Sequence, residues 1–274
     1  MNFAVGREEA DFAESIRATL AGYRPPPWAP GAALDDHDPE LSDRMREVGL
    51  AEAVAAGHGF VAAAGLELGR GLAPLALFDE ITIERAALAA AGVARHPRGH
   101  AVALDLRGDG AWLVPLDGAR PAPALDTQGF IRLAVGVEEP APFPELRSWA
   151  AFHTAYHAGL AAAALALAVE HARARVQFGK PLLALAPVQQ MLADAAMLAQ
   201  GLELLAWEEP EDPWPPLVHA TEAACRVCET AHQVHGAVAF ALETPLHGFF
   251  RRAHATRLFT GAVVRAARDV RTAA

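Results

Sequence analysis

One stretch constrains the fold of this chain more than any other: a long apolar helix that ends at a tight Phe-Gly-Lys-Pro break. The segment before the break, Phe152 to Val169, is rich in Ala and Leu and has no Asp, Glu, Lys or Arg. A helix of that composition packs against neighbours on all sides, which predicts a place at the centre of a helical bundle. Pro181 stops the helix, Gly179 allows the backbone to turn, and a second helix begins after Pro187.

Arg175 and Phe178 lie at this helix end, three residues apart, and so on one face of the predicted helix. A guanidinium and an aromatic ring that share a face can bind a phosphate and stack on a planar group. The alternative is structural, with a last-turn arginine that offsets the helix dipole beside a core phenylalanine. The spacing alone leaves both interpretations open.

Length and composition narrow the class of protein. The 274 residues are 53% hydrophobic and 20% charged, which is typical of a folded chain that buries a full core. A net charge of −10 argues against a nucleic-acid partner or an anionic membrane surface. The first residues do not resemble a secretory signal, and the purest apolar run is too short to span a bilayer. With only two cysteines, these features predict a cytoplasmic location and no membrane partner.

The apolar periodicity predicts a mainly α protein with a small β segment. We expect N-terminal helices over Phe3–Tyr23, Leu41–Ala55, Gly59–Leu72 and Ile81–Ala94, with a Pro- and Asp-rich loop from Arg24 to Glu40. From Ala101 to Val135, alternating residues with Gly-Asp-Gly and Asp-Gly turns indicate about four short antiparallel strands.

Four long helices are expected after the strands, over Ser148–Phe178, Val188–Trp207, Leu217–Val234 and Pro245–Arg271. The predicted domains are therefore an N-terminal helical domain (1–98), a reduced β domain (99–140) and a C-terminal four-helix bundle (141–274).

Two motifs resemble those of a known family. RVQFGKP followed by PVQQMLAD is similar to the acyl-CoA dehydrogenase signature, in which an R-x-x-F-G turn joins two long helices of a C-terminal bundle. AHQVHGAVAFALETPLHGFFRRA, Ala231 to Ala253, resembles the family's Q-x-x-G-G-x-G-[FY]-x-x-E-x-P segment. The two occur in the family's order. The resemblance covers most of the chain and implies that family's fold, with N-terminal helices, a middle β domain and a C-terminal bundle.

The resemblance also implies a cofactor. In the family these two segments reach across a subunit interface and bind the adenine, ribose and pyrophosphate of an FAD whose ring lies on the neighbouring subunit. The matching positions here, including Ala237 at the family's second glycine, are Arg175, Gln177, Phe178, Gln233, Gly236 and Ala237. An arginine neutralises pyrophosphate, an aromatic ring packs on the cofactor, and a glycine allows backbone N–H groups to approach.

The matching positions supply no catalytic base. The family's glutamate, which removes the α-proton of the acyl-CoA, corresponds to Thr260, whose hydroxyl cannot serve as that base at neutral pH. Members that carry the glutamate before R-x-x-F-G have it where this chain has Trp149 and Ala150, and Ala150 also replaces the family's usual arginine. The nearest acid, Glu145, lies in a predicted loop. The loop and strand that contact the flavin ring, T-E-x-x-A-G-S-D and W-I-[ST], are missing, and the chain is shortened mostly there.

Three other features favour structural roles. Cys225 and Cys228 form C-x-x-C within a continuous helical pattern, which predicts two small core residues rather than a metal or redox site. Twelve histidines are scattered along the chain, and His235 accompanies the glycine motif. Glu243 is expected to anchor its loop. We predict no metal site.

Three functional hypotheses follow. The first is a self-sufficient acyl-CoA dehydrogenase, against which the missing base, arginine and ring-binding loop argue. The second is a base-less subunit of a heterotetramer, as in actinobacterial members that shorten steroid side chains, paired with a longer, glutamate-bearing partner that binds most of the acyl-CoA. The third is a non-enzymatic helical scaffold or homodimer without flavin. The resemblance favours the second, which would be inactive alone and would share FAD across the interface.

Overall fold

A computed structural model describes residues 5–26, 38–83, 86–95, 99–123 and 125–273. Within these ranges the α-helices are α1 (Arg7–Leu20), α2 (Pro39–Glu47), α3 (Ala53–Ala56), α4 (His58–Arg70), α5 (Ala76–Thr82), α6 (Arg147–Ala174), α7 (Ala186–Trp207), α8 (Trp214–His235) and α9 (Leu246–Ala273). Short 3₁₀ turns occupy Leu50–Glu52, Leu182–Ala184 and Gly236–Phe240. The mainly helical fold predicted from the periodicity is confirmed.

The N-terminal helices match the prediction with one interruption. The helix expected over Leu41–Ala55 is broken at Gly49, whose positive φ of 85° ends the helical path. A 3₁₀ turn and α3 follow. Most of the predicted Pro-rich loop, residues 27–37, lies outside the described residues.

The sheet is larger than predicted. Its strands are β1 (Ala87–Ala90), β2 (Val93–Arg95), β3 (Val102–Arg107), β4 (Gly110–Pro115), β5 (Arg120–Pro121), β6 (Phe130–Arg132) and β7 (Glu139–Ala141). They lie in the order β5-β6-β2-β1-β3-β4-β7, so the described strands form an open sheet rather than a closed barrel. All neighbours are antiparallel except β1 and β3, which are parallel. The four strands expected between residues 101 and 135 are β3 to β6.

The helix predicted over Ile81–Ala94 is wrong. After α5 ends, the Ala-rich run enters the sheet as β1, in which all four residues are buried. Ala91 and Gly92 then turn the chain into β2 with φ values of 52° and 74°, as a tight hairpin requires. Pairing with β3 on one side and β2 on the other outweighs the helix propensity of alanine, which is only a weak preference. The sheet therefore begins at residue 87, within the segment predicted to be helical.

The last four helices form the predicted bundle around α6. This helix packs against α4, α7 and α8, and α8 packs against α9. Every residue from Trp149 to Ala161 is buried, as the all-round apolar composition of α6 predicts. By length and hydropathy α6 could cross a membrane, but 67% of its most apolar window is buried within the fold, as in the core helix of a bundle.

Glycines allow α4 and α6 to cross in close contact. A Cβ atom added at Gly69 would lie 2.1 Å from the carbonyl oxygen of Tyr156, and one at Gly159 would lie 2.2 Å from that of Leu66. Both clashes involve backbone atoms, which cannot move aside without separating the helices.

We therefore expect Gly159→Ala to destabilise the fold by about 3 kcal/mol, because overpacking at a backbone contact forces the helices apart. Urea denaturation measures the effect. Gly201→Ala in α7 is the matched control, since its added Cβ meets nothing within 4 Å. That change should stabilise the protein by about 0.5–1 kcal/mol, as expected for removing a glycine from a helix interior. Similar effects of the two substitutions would contradict the proposed crossing.

Candidate functional site

The R-x-x-F-G segment forms a small hairpin at the C-terminal end of α6. The helix ends at Ala174, and strands β8 (Val176–Gln177) and β9 (Lys180–Pro181) pair antiparallel beyond it. Phe178 and Gly179 form the turn, with φ values of 54° and 76°. The predicted helix to Phe178 is thus four residues too long, and Arg175 and Phe178 do not share a helical face. The left-handed turn explains why the helix cannot continue.

The hairpin exposes its functional side chains. Phe178 is 88% exposed, so the interpretation of a core phenylalanine is wrong. Arg175 is also exposed, and its side chain makes no hydrogen bond or ion pair with the part of the chain that the structure describes. Gln177, between them in β8, is half-buried. An unpaired guanidinium and an exposed ring at one helix end can meet an anionic, planar group from outside the chain.

The second segment lies at the C-terminal end of α8. Gly236 ends the helix with a φ of 67° and starts a 3₁₀ turn that runs to Phe240. Gln233, Gly236 and Ala237 are all exposed. Since nothing lies within 4 Å of a Cβ built at Gly236, the positive φ, rather than space, favours glycine there. The methyl group of Ala237 is accommodated on the surface.

Two histidines connect the segments. His171, one turn before Arg175, stacks on His235, next to Gly236, with ring centroids 4.3 Å apart and planes inclined by 22°. Burial lowers the pKa of His171, and the neighbouring His235 and Arg175 lower it further. The stack therefore brings the two predicted FAD-binding segments to the same end of the bundle. Sequence reasoning noted His235 but missed His171.

Both segments also carry exposed apolar side chains. Among them, Val176 and Phe178 lie on the hairpin, and Val238, Phe240 and Leu242 lie on or after the 3₁₀ turn, with exposed fractions from 51% to 88%. Isolated apolar residues at a surface need no explanation, but several at one end of a bundle are typical of an interaction surface.

The position that matches the family's catalytic glutamate, Thr260, is buried. Thr260 is 1% exposed in the interior of α9, which continues without a break, and its Oγ1 donates a hydrogen bond to the Thr256 carbonyl (2.8 Å). Trp149 and Ala150 are fully buried. Glu145 is exposed, and its carboxylate accepts a hydrogen bond from the Arg147 backbone N–H at the start of α6 (2.9 Å). These positions present no carboxylate to a reacting carbon.

A buried ion pair that sequence reasoning missed lies between α5, β2 and α6. Asp79 accepts two hydrogen bonds from Arg95, each 2.8 Å, and one from the Trp149 indole (3.0 Å). Arg95 Nη2 also lies 2.9 Å from His153 Nε2. Burial, together with the charge of Arg95, lowers the pKa of His153 to about 3, and burial likewise lowers the pKa of His157 to about 4. Both imidazoles are therefore neutral beside a buried cation.

A second buried ion pair ties α9 to the loop before β6. Arg252, 1% exposed, donates to Asp126, to the Ala73 carbonyl (2.8 Å) and to the Tyr156 hydroxyl (2.6 Å). Asp126 also accepts from the side chain of Gln128 (2.8 Å). The two ion pairs therefore join the sheet and its loops to the helices through buried side chains.

The cysteines and Glu243 have no ligand-binding geometry. Cys225 and Cys228 are buried and free, and burial raises the pKa of Cys225 to about 11 and that of Cys228 further. In the described ranges, no group of three His, Cys, Asp or Glu residues is placed to bind a metal. Glu243 is exposed and does not anchor its loop; Thr244 does, because its Oγ1 bonds to the carbonyls of Val238 (3.2 Å) and Ala241 (3.0 Å).

Comparison with known proteins agrees with this geometry. The family model "Acyl-CoA dehydrogenase, C-terminal domain" matches residues 148–210 and 218–269. Cyclohex-1-ene-1-carbonyl-CoA dehydrogenase of Geobacter metallireducens is 36% identical over 121 residues, which cover 40% of this chain and 32% of that protein. The chain thus matches only about a third of the length of this relative.

Solved structures match over nearly the whole chain. The ChsE4-ChsE5 complex from Mycobacterium tuberculosis aligns with a TM-score of 0.70 at 17% identity, over 99% of this chain and 97% of the other. The structure described as the steroid ACAD Tcur3481-Tcur3483 aligns with a TM-score of 0.70 at 17% sequence identity. The alignment covers 98% of this chain and 97% of the other. The fold is that of an acyl-CoA dehydrogenase. Residues 148–210 and 218–269 are similar to the C-terminal domain of acyl-CoA dehydrogenases.

Proposed function

We propose that this chain is the base-less subunit of a heteromeric acyl-CoA dehydrogenase and completes the FAD site of a longer, glutamate-bearing partner. One observation carries the proposal. Arg175 and Phe178 are exposed, and the Arg175 side chain is unpaired within the described chain, whereas Thr260, at the base position, is buried inside α9. The chain therefore presents the cofactor-binding motif outward and has no acid at the family's base position to act on a substrate.

The exposed residues fit the nucleotide half of FAD. Arg175 would neutralise a pyrophosphate charge, Phe178 would pack on an adjoining planar group, and Gln177 and Gln233 would hydrogen-bond the ribose or adenine. Gly236, with positive φ, lets a backbone N–H approach closely, and Ala237 follows it on the surface. When bound, FAD supplies the hydride acceptor for α,β-dehydrogenation of an acyl-CoA. This chain would hold the nucleotide half, and the partner would hold the ring and the acyl-CoA.

The fold supports a heteromeric assembly. Two structures that it resembles over nearly their whole length are two-component acyl-CoA dehydrogenases, and one of them, Tcur3481-Tcur3483, is a steroid enzyme. We accordingly propose a cytoplasmic heterotetramer in lipid or steroid catabolism. A scaffold or homodimer without flavin is the second candidate, and it is favoured by the buried ion pairs Arg95–Asp79 and Arg252–Asp126, which tie the fold together through the chain's own side chains.

The isolated chain is expected to have no acyl-CoA dehydrogenase activity. Thr260→Glu should not restore it, because the new carboxylate would be buried within a continuous helix and face no substrate. An artificial electron-acceptor assay with a series of acyl-CoA thioesters measures turnover. Catalysis by the isolated chain at an ordinary enzymatic rate, about 1 per second or faster, would contradict the subunit proposal.

Arg175→Ala should weaken flavin retention in the assembled complex by roughly ten- to a hundredfold, because it removes a charge-assisted contact to pyrophosphate. The measurement is the visible absorbance of FAD in the complex, co-purified with a longer family member and titrated with the cofactor. Arg173→Ala is the matched control: Arg173 is exposed two residues earlier, still within α6. If Arg175→Ala and Arg173→Ala retained FAD equally well, the result would favour the second candidate, a scaffold that binds no flavin.

A further inference from the structure

A cavity of about 250 Å³ lies between the sheet and α9, and its lining includes none of the proposed FAD-binding residues. Its walls come from the β1–β2 turn, residues that follow β5, β6 and one side of α9, and they are mostly apolar. The residues that shape it most are Ala90, Val93, Phe130, Leu258, Phe259 and Ala262. Leu258 is 64% exposed, so the cavity reaches the surface there. An apolar cleft of this size accepts a short acyl segment or a single ring system.

A pair of arginines lies beside this cavity. Arg132 in β6 lines it, and Arg120 in β5 is the direct cross-strand neighbour of Arg132. Directly opposed residues of antiparallel strands place their side chains on the same face, about 4.5–5.5 Å apart at Cβ. Both arginines are exposed, and neither side chain makes a hydrogen bond or ion pair with the described residues. Two like charges in this arrangement repel each other unless an anion lies between them.

We propose that this cleft binds an amphipathic anion, with its apolar body against Phe130 and Phe259 and its carboxylate or phosphate head between Arg120 and Arg132. The apolar walls give no orientation by themselves. The two guanidinium groups provide it, since together they present a fork of donors that matches planar or tetrahedral oxyanions. None of the lining residues belongs to the proposed FAD-binding set, so this site is independent of the subunit proposal.

Isothermal titration of the full-length chain with three matched probes tests the site: octanoate, octyl phosphate and octanol. At least one anion should bind about tenfold more tightly than the neutral alcohol, because a charge-assisted hydrogen bond adds to the shared apolar contact. The head group that binds more tightly identifies the source of the negative charge as a carboxylate or a phosphate.

Variants locate the binding. Arg132→Gln should reduce the affinity for the anion to that for octanol, and Ala262→Leu should weaken all three probes by filling the cavity. Arg7→Gln is the control, since Arg7 lies in α1 with its side chain 94% exposed. Equal affinity for octanoate, octyl phosphate and octanol, binding of no probe, or an unchanged anion preference in Arg132→Gln would each overturn the proposal. Arg132 lies on an exposed strand, so its variant is expected to fold.

Discussion

Replacing Arg252 by methionine is expected to lower the free energy of unfolding by about 3–5 kcal/mol, the usual cost of leaving one member of a buried ion pair without its partner. Arg252 is 1% exposed and bonds to Asp126, the Tyr156 hydroxyl and the Ala73 carbonyl. These groups belong to three separate parts of the chain. Its loss would strand a buried carboxylate and weaken the attachment of α9 to the rest of the fold.

Urea denaturation of Arg252→Met measures this loss of stability. Arg257→Met, at an exposed position in the same helix, is the control for the general effect of removing an arginine. The control should change stability by no more than about 0.5 kcal/mol. Adding Asp126→Leu to Arg252→Met should recover part of the loss, because an apolar pair of similar volume often replaces a buried ion pair without cost. If the double variant were less stable than the single one, Asp126 would have a role beyond this pair.

Acidification should destabilise the protein well before its carboxylates titrate. Burial lowers the pKa of His153 to about 3 and the pKa of His157 to about 4, from 6.5 in the unfolded chain. Below pH 6.5 the unfolded state therefore binds more protons than the folded state, and stability falls as the pH falls. Each histidine contributes about 1.4 kcal/mol per pH unit in this range, so at pH 5 each removes about 2 kcal/mol.

Unfolding free energies from urea titrations at pH 8, 7, 6 and 5 measure this dependence. His157→Gln, which removes one of these two imidazoles, should reduce the slope between pH 6.5 and 5 by about 1.4 kcal/mol per pH unit. His219→Gln, on the exposed side of α8, serves as the matched control for replacing a histidine by glutamine. A stability that is flat over this interval would mean that the two imidazoles are not buried as neutral groups.

Sequence patterns predict the parts of the fold that depend on local structure. The helices of the bundle follow from apolar periodicity, and the open sheet between residues 101 and 135 from alternation and turn residues. The run at Ala87–Ala90 is wrongly predicted as helix because three alanines and one leucine, all buried, carry no periodicity. Its strand identity comes from pairing with β2 and β3.

In the candidate site, too, the sequence predicts the local features but not those that depend on contacts between distant segments. The motif residues Arg175 and Gly236 could be named from the sequence, because they lie in two motifs that resemble those of acyl-CoA dehydrogenases. The His171–His235 stack and the buried pairs could not, because each joins residues far apart in the chain: Arg252 and Asp126 are 126 positions apart. The doublet Arg251–Arg252 in α9 resembles a solvated charge pair, and only the packed structure shows that Arg252 is buried and Arg251 half-buried.

The hairpin that carries Phe178 has a consequence for the free chain. A non-glycine residue in the left-handed region costs on the order of 1 kcal/mol, and the ring it projects is 88% exposed. Burial of that ring against another surface would contribute about 2 kcal/mol, so chains whose ring stays uncovered should self-associate as their concentration rises. If the chain is the subunit proposed above, balanced synthesis of the chain and its partner decides the yield of intact complex.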